Sequence, residues 1–457
     1  MKHKFLVGLC LLLALTWSAC RKGFLEVKPS KSLLVPATLS DFRALLDNLN
    51  VFDLSPGLPG IADGDFYTTD AGWAGYQSNG ERNSYTWAKD IFGNETSADW
   101  NIPYQQVFYA NVVLEGLAEL GPDTVSAECR AVKGTALFSR GTAFFNLAQV
   151  FCADYGSGDA GAALGLPLRL SSDVTLRPER SPLRQTYAQV LADLSASVAL
   201  LPVSVGYKSR PSRAAAWGML ARVYLAMGDY ARAGACADSC LQLHAALLDY
   251  SALDGSARRP FPRALPNGND EVIWYCAALP YSFNQSSSPT YADSLLYGFY
   301  GSGDLRRQLF FAAKPEGGFG FKGNYSGVLT LFSGLAADEL YLVRAECRVR
   351  TGDVSGGLAD LNTLLTQRYA PGALVPLSAP DAASALALVL RERRKELLDR
   401  GTRWGDLRRL NREAAFQTVL ERKLNGQLYR LEPGSVDYVY PIPADEAGRS
   451  GIPQNVR

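Results

Sequence analysis

Histidine is nearly absent from this chain of 457 residues, which contains only His3 and His244. A multi-histidine metal site needs several imidazoles, and a Ser-His-Asp or Cys-His site would have to use one of these two. His244 falls near the end of a predicted helix, where we expect it to act as a cation beside the last carbonyl groups. The scarcity of histidine argues against a hydrolase, although it leaves carboxylate chemistry open.

The chain also lacks an excess of charge of either sign. Lys and Arg number 46 against 45 Asp and Glu, which gives a net charge of +1 at pH 7. Residues 1–19 contain two of the lysines and no acidic residue, so the chain without them carries 44 against 45, or −1. Such a balance produces no broad positive field, and we therefore expect no nucleic-acid partner.

Long apolar runs are missing except at the N-terminus, where Phe5 to Leu15 is too short to span a bilayer. Two lysines precede this run and small residues follow it, a pattern typical of a secretory signal over residues 1–19. Cys20 comes next, as in a lipobox, although Trp17 stands where an aliphatic residue is usual. We predict that Cys20 is acylated and anchors the chain to a membrane without spanning it.

Cysteine occurs without the spacing of a metal ribbon. Six of the eight cysteines follow Cys20, and none of them forms a C-x-x-C pair. Cys236 and Cys240 fall on one face of a predicted helix, as small buried hydrophobic residues do, and we expect free thiols there. A single disulfide elsewhere stays open for an exported chain.

Helical periodicity dominates what is present. Trp217, Leu220, Ala221, Tyr224 and Leu225 form one apolar stripe, a Gly-Asp pair follows, and a second amphipathic helix begins. This W-x2-L-A-x2-Y spacing is a degenerate tetratricopeptide signature, and a second copy lies 124 residues downstream. The fold class predicted is mainly α, a tetratricopeptide-like scaffold of helical hairpins with long irregular insertions and a few short strands. We expect one domain over residues 20–457, with hairpins near 127–151 with 181–201, 212–243 and 336–368, and C-terminal helices over 381–410.

Two insertions, residues 51–100 and 249–335, lose the helical period. Both are rich in glycine, polar residues and aromatics, and loops of this length are functional or disordered, with the aromatic content arguing against disorder. A possible calcium site at Asp63, Asp65 and Asp70 lacks the complete EF-hand pattern. The G-x-G-x-x-G match beginning at Gly318 lacks the preceding strand and following helix of a nucleotide site. We expect no metal and no cofactor.

Several motifs carry a resemblance to a known family. The segment after the signal reads C-x-x-x-F-L-E-x-x-P from Cys20 to Pro29, and E-R-R-K-E-L begins at Glu392 and runs on to R-W-G-D-L-R-R from Arg403. Both are similar to motifs of the SusD/RagB-like outer-membrane lipoproteins of Bacteroidetes, and further stretches between them match in the same order. The pair Asp399-Arg400 stands where the family often carries a glutamate before the glycine, here Gly401. We expect Glu396, Arg403 and Asp406 to form a structural charge network and not a basic binding patch.

The resemblance implies a cell-surface lipoprotein of the outer membrane that captures a nutrient, most often a glycan, and passes it to a SusC-like TonB-dependent transporter. It implies binding without catalysis. A peptide- or protein-binding helical-repeat lipoprotein, as in RagB-like relatives, is the alternative, and a carboxylate-only glycosidase using Asp63 and Asp65 is a third possibility. Screening glycans and peptides separates the first two.

The resemblance transfers no fixed binding motif, so the ligand site is predicted from chemistry. Sugar rings stack their C–H faces on aromatic rings, and their hydroxyls pair with amides and carboxylates. Both insertions supply this mixture, although any one aromatic could instead pack a loop onto the helices. Trp73 is the predicted stacking platform because small residues surround it. The other candidates are Asp65, Tyr76, Trp87, Tyr281, Asn284 and Tyr291.

Overall fold

A computed structural model describes residues 36–121, 126–284 and 289–457. The predicted signal and Cys20 lie outside these residues. Helices dominate the described part and range from single turns to 25 residues. The α-helices are α1 (Leu39–Leu46), α2 (Leu49–Phe52), α3 (Leu58–Ala62), α4 (Asp70–Ala74), α5 (Asn79–Tyr85), α6 (Ala98–Glu119), α7 (Ala127–Phe151), α8 (Leu183–Leu200), α9 (Arg213–Met227), α10 (Tyr230–Leu243), α11 (Ser294–Gly298), α12 (Arg306–Phe310), α13 (Ala337–Arg350), α14 (Val354–Thr366), α15 (Ala382–Glu396), α16 (Arg403–Leu410) and α17 (Ala444–Ser450).

The strands are short and pair only two at a time. All pairs are antiparallel except β1 with β6, and the partners are β1–β6, β2–β7, β3–β4, β5–β10, β8–β9 and β11–β12. The prediction of a mainly α fold with a few short strands is confirmed. The strands are β1 (Leu54–Ser55), β2 (Phe66–Thr68), β3 (Leu164–Pro167), β4 (Arg180–Pro182), β5 (Val272–Trp274), β6 (Ala277–Ala278), β7 (Thr290–Ala292), β8 (Phe311–Ala313), β9 (Phe319–Phe321), β10 (Leu335–Ala336), β11 (Leu420–Leu424) and β12 (Gln427–Leu431).

The long helices stack in chain order. Helix α6 packs on α7, α7 on α8, α8 on α9, α9 on α10, α10 on α13, and α13 on both α14 and α15. Each helix therefore covers the apolar face of its neighbour, as in a repeat protein whose single hairpins cannot bury their own faces. Among the described residues, no helix combines the length and apolarity needed to cross a bilayer.

The hairpins at 212–243 and 336–368 turn in the same way. Gly228 follows α9 with φ 79° and donates its N–H to carbonyls of the last turn, and Gly352 follows α13 with φ 98°. Glycine adopts this left-handed conformation without steric penalty. Asp229 and Asp353 then cap α10 and α14 by accepting backbone N–H groups of the first turn. A Gly-Asp pair thus ends one helix and begins the next.

The six cysteines between Cys129 and Cys347 are buried free thiols, as expected for Cys236 and Cys240. The expectation for His244 as a cation is wrong. Its ring lies 2.7 Å from the Asp270 carbonyl oxygen, and burial lowers the pKa of the imidazole, which favours the neutral form at pH 7.

The glutamate that ends α15 is buried between two arginines. Glu396 pairs with Arg306 at 2.9 Å and with Arg368 at 2.6 Å, and none of the three side chains is exposed. Arg306 comes from the second insertion and Arg368 follows α14. These ion pairs connect the second insertion to α15 and to the segment after α14. Glu396 therefore has a structural role, as predicted.

Asp406 and Arg403 complete the motif differently from the prediction. Asp406 on α16 accepts from Arg393 at 2.8 Å and is buried. Arg403 does not pair with Glu396 or Asp406, and its Nε lies 3.7 Å from a carboxylate oxygen of Asp65. The motif therefore belongs to two networks, one of which reaches into the first insertion.

Candidate functional site

The two insertions predicted to bind ligand meet in one small sheet. Strand β2 pairs with β7, so that Tyr67 lies opposite Tyr291. Their rings stack with centroids 5.4 Å apart and an interplanar angle of 23°. Tyr291 is buried, whereas Tyr67 is 41% exposed. The pair forms an aromatic surface backed by the core.

Trp73 lies just beyond this sheet on α4. Thr69 caps the helix by accepting the Gly72 N–H, and a side chain at Gly72 would collide with Thr68 and Pro289. The indole Nε1 of Trp73 donates to the Arg82 carbonyl oxygen at 2.9 Å. This bond fixes the edge of a half-buried ring, which is the pre-ordering that a stacking platform needs.

Two other aromatic candidates from the first insertion are buried. Trp87 is 5% exposed, donates its indole N–H to the Ala62 carbonyl oxygen at 3.0 Å, and has the Arg422 guanidinium 4.7 Å from its ring. Tyr76 is 3% exposed, and its hydroxyl lies 3.1 Å from that of Thr290. These rings join the first insertion to later parts of the chain and offer a ligand no open face in this conformation.

The acidic candidate is also buried. Asp65 is 2% exposed and accepts from Arg394 Nε on α15 at 2.8 Å. Asp63 is buried beside it and accepts the Asp65 backbone N–H. Burial raises the pKa of Asp63 well above its usual range, with the Asp65 charge as the next cause. The pair considered for a glycosidase thus lies beneath the surface, with Asp65 in an ion pair.

Tyr281 and Asn284 lie in the second insertion, where the described residues end at 284 and begin again at 289. The Tyr281 hydroxyl donates to Asp99, a buried carboxylate at the start of α6. Asn284 donates from its Nδ2 to Asp399 Oδ1 at 3.2 Å. Both side chains are half-buried. The Tyr281 hydroxyl is occupied by its hydrogen bond to Asp99, whereas the Asn284 side chain lines a cavity.

Asn284 lines three adjacent cavities. An interior cavity of about 110 Å³ lies between α7, α9 and the segment 393–409, and a neck of about 30 Å³ shares Asn284 and Asp399 with it. A groove of about 530 Å³ shares Asn284, Lys314 and Phe321 with the neck. The second insertion therefore forms a common wall from the groove to the interior.

The interior cavity is rich in hydrogen-bond donors. Arg393, Arg400 and Trp404 line it, are each at least nine-tenths buried, and carry N–H groups without a partner among the described residues. Arg400 uses only its Nη1, which donates to Asp338 at 3.0 Å. The cavity is therefore suited to polar groups that accept hydrogen bonds.

Asp399 stands between the cavity and the neck. Its φ is 57°, a left-handed conformation that costs a non-glycine residue energy. Burial raises the pKa of its carboxyl to about 7, the Asp65 charge adds to the rise, and the hydrogen bond from Asn284 opposes it.

The sequence prediction missed the most exposed aromatic of the sheet and the basic residues of the groove. Tyr67 alternates with buried Phe66 and Thr68, a period of two over only three residues. Arg258, Arg259, Lys314 and Lys322 are scattered over 65 positions, and only folding gathers them. The alternation was the available signal for Tyr67, and no local pattern marks the basic set.

A scaffold of stacked helical hairpins with aromatic insertions is typical of a tetratricopeptide-like binding protein. Comparisons with family models identify the family. A family model described as "Starch-binding associating with outer membrane" matches residues 23–225. A second, described as "SusD family", matches residues 338–454. The chain belongs to the SusD/RagB-like family, a family of carbohydrate-binding proteins.

Solved structures of this superfamily share the fold along nearly the whole chain. A SusD superfamily protein from Bacteroides thetaiotaomicron superposes with a TM-score of 0.71 at 22% identity, covering 92% of this chain and 100% of its own. A SusD-like carbohydrate binding protein from Bacteroides vulgatus gives a TM-score of 0.69 at 18% identity, with coverages of 91% and 97%. No curated protein sequence matches the chain.

Proposed function

We propose that this protein is an outer-membrane lipoprotein, exposed at the cell surface, that captures a glycan and delivers it to a SusC-like TonB-dependent transporter. Membership of a carbohydrate-binding family supports the class of ligand. The outer-membrane association in the description of the matching family supports the location. The role is binding without catalysis.

The pairing of β2 with β7 carries this proposal. It joins two insertions that lie outside the stack of long helices, and it leaves Tyr67 exposed and Trp73 half-exposed at one side of the scaffold. Flat rings with fixed edges suit the C–H faces of sugars, and the amide of Asn284 nearby suits their hydroxyls. We therefore propose Trp73, Tyr67 and Asn284 as ligand contacts.

Substitution of the accessible rings tests the site. Trp73→Ala and Tyr67→Ala should each weaken glycan binding by about tenfold or more, because each removes a stacking face, while the melting temperature falls by only a few degrees. Tyr207→Ala is the matched control, since Tyr207 is 53% exposed and lies outside both insertions. Affinity gels containing soluble polysaccharides and calorimetry with oligosaccharides and peptides provide the measurement. Selective peptide binding would instead support a RagB-like role.

The anchor requires its own experiment. Cys20→Ala should release the protein from the membrane fraction, because the acyl chains on that cysteine are the proposed attachment. Fractionation and labelling with a fatty-acid analogue measure this. Protease treatment of intact cells checks the outward orientation, and co-purification with a TonB-dependent transporter checks the partner. Unchanged fractionation without labelling would remove the lipoprotein assignment.

A further inference from the structure

The groove beside the aromatic sheet is basic in a nearly neutral protein. Arg258, Arg259, Lys314 and Lys322 line it, and among the residues that the structure describes no aspartate or glutamate does. The chain as a whole carries a net charge of +1. Positive charge concentrated in a concave surface attracts anions locally even when the global field is small.

The loop that carries the two arginines is held in place. Lys322 donates from Nζ to the carbonyl oxygens of Gly255 and Ala257 at 2.6 and 3.2 Å. Asp254 accepts the Ser256 N–H at 2.8 Å and closes the turn before the arginines. Lys322 therefore has a structural role as well as a charge, and it fixes the backbone from which the arginines project.

Arg258 and Arg259 are exposed, and neither has an acidic partner within residues 36–121, 126–284 and 289–457. By contrast, Arg394 near the candidate site is partly buried and pairs with Asp65. Two adjacent guanidinium groups without carboxylates can each form paired hydrogen bonds to a carboxylate or sulfate.

Lys314 links the basic groove to the aromatic surface. Its Nζ lies 4.7 Å from the ring centroid of Tyr291, whose other neighbour is the exposed Tyr67 ring. A chain molecule that extends from the groove to the Tyr67 surface would thus meet the arginines at one end and an exposed aromatic ring at the other. Alternating flat apolar faces and negative groups are the chemistry of an acidic polysaccharide more than of an acidic peptide, whose backbone presents no such faces.

We infer that the glycan bound by this protein is anionic, an oligosaccharide bearing carboxylate or sulfate groups that Arg258 and Arg259 recognise. The inference rests on the proposed function and specifies its ligand. The proposal requires the groove and the Tyr67 surface to act as one site, with stacking that orients the sugar rings and the arginines selecting for charge.

The test compares acidic and neutral polysaccharides on the full chain. Affinity gels contain polygalacturonate, chondroitin sulfate, soluble starch or xylan, and polyglutamate serves as the peptide probe in calorimetry. Arg258→Gln/Arg259→Gln should weaken binding of the acidic polysaccharide by about tenfold or more, since each lost contact is a hydrogen bond between charged groups. Lys133→Gln/Arg449→Gln, which removes the same charge from exposed residues outside the groove, should not.

The outcomes separate the two proposals. Binding to polygalacturonate identifies carboxylate and binding to chondroitin sulfate identifies sulfate as the recognised group, and either supports the inference if the arginine variant loses it. Binding to starch or xylan with equal strength in wild type and arginine variant overturns the inference and leaves the proposed function standing. Absence of binding to all four polysaccharides overturns both, and selective binding of polyglutamate replaces the glycan with a peptide.

Discussion

Asp399 combines burial, a φ of 57° and the nearby charge of Asp65 at one position. Burial and the charge of Asp65 both work against an ionised aspartate, and they raise the pKa of its carboxyl from 3.8 to about 7. Because the folded state holds the proton more tightly than the unfolded state, the stability from this residue is fully present below the unfolded pKa. That stability is lost as pH rises through about 7.

Asp399→Asn should therefore stabilise the protein at alkaline pH. Asn keeps an oxygen for the hydrogen bond from Asn284, tolerates positive φ, and carries no charge. We expect a gain of about 2 kcal/mol in the free energy of unfolding at about pH 8, which grows between about pH 4 and 7 and then levels off. Denaturant unfolding at a series of pH values measures the difference between variant and wild type.

An aspartate with the opposite shift provides the control. Asp381 caps α15, and the hydrogen bond from the Ser384 backbone N–H lowers the pKa of its carboxyl. Its contribution is present at about pH 8 and is lost as pH falls, so Asp381→Asn should lower stability slightly at about pH 8 and give no alkaline gain. An alkaline gain of equal size in both variants would contradict the role of burial at Asp399.

At the scale of elements, the hairpin α13–α14 depends on a close approach of two helices. Gly357 on α14 faces α13, where an added Cβ would lie 2.8 Å from the Ala345 carbonyl oxygen and 2.5 Å from a Val349 methyl. The carbonyl belongs to backbone and cannot rotate away. The hairpin is therefore packed to the limit that glycine allows.

Gly357→Ala should destabilise the protein by about 1–2 kcal/mol, because overpacking outweighs the better helix propensity of alanine. Gly448→Ala is the matched control, since Gly448 on α17 has nothing within 4 Å of an added Cβ. That change should be neutral or stabilise by up to about 1 kcal/mol. Thermal or denaturant unfolding of both variants measures these changes in stability. Equal changes in the two variants would mean that the helices do not approach closely at Gly357.

At the scale of the whole molecule, buried ion pairs connect segments that are far apart in sequence. Glu396 is shared by Arg306 from an insertion and Arg368 from the scaffold, and Arg394 on the same helix reaches Asp65 in the first insertion. Helix α15 thus joins both insertions to the stacked hairpins. Burial makes these links costly to break singly.

Glu396→Gln should lower the free energy of unfolding by about 3–5 kcal/mol, because it leaves two buried guanidinium groups without their shared carboxylate. Glu421→Gln is the control, since its pair with Arg430 is about half exposed at both side chains and contributes at most about 1 kcal/mol. Chemical denaturation measures both. A loss at Glu396 no larger than that at Glu421 would show that the buried network is not a main source of stability.

The helical scaffold was accessible from sequence because its signals are local. Gly228-Asp229 and Gly352-Asp353 mark both turns, and Asp381 marks the start of α15. For α9, however, the sequence predicted only part of the face that is buried in the core. Trp217 is half-buried while Met219 and Val223 are fully buried, because α8, α10 and α13 surround α9 on several sides.

The sequence by itself therefore determined the class of fold, the family and the two segments in which a ligand site should lie. It did not separate Trp73 from Trp87, which have similar glycine-rich or polar surroundings in the chain. Arg422, more than three hundred positions later, lies over Trp87 and helps to enclose it, whereas Trp73 keeps part of its ring exposed. Helix periods and caps depend on residues three or four apart, but exposure of a loop side chain depends on distant partners, which only the tertiary structure brings together.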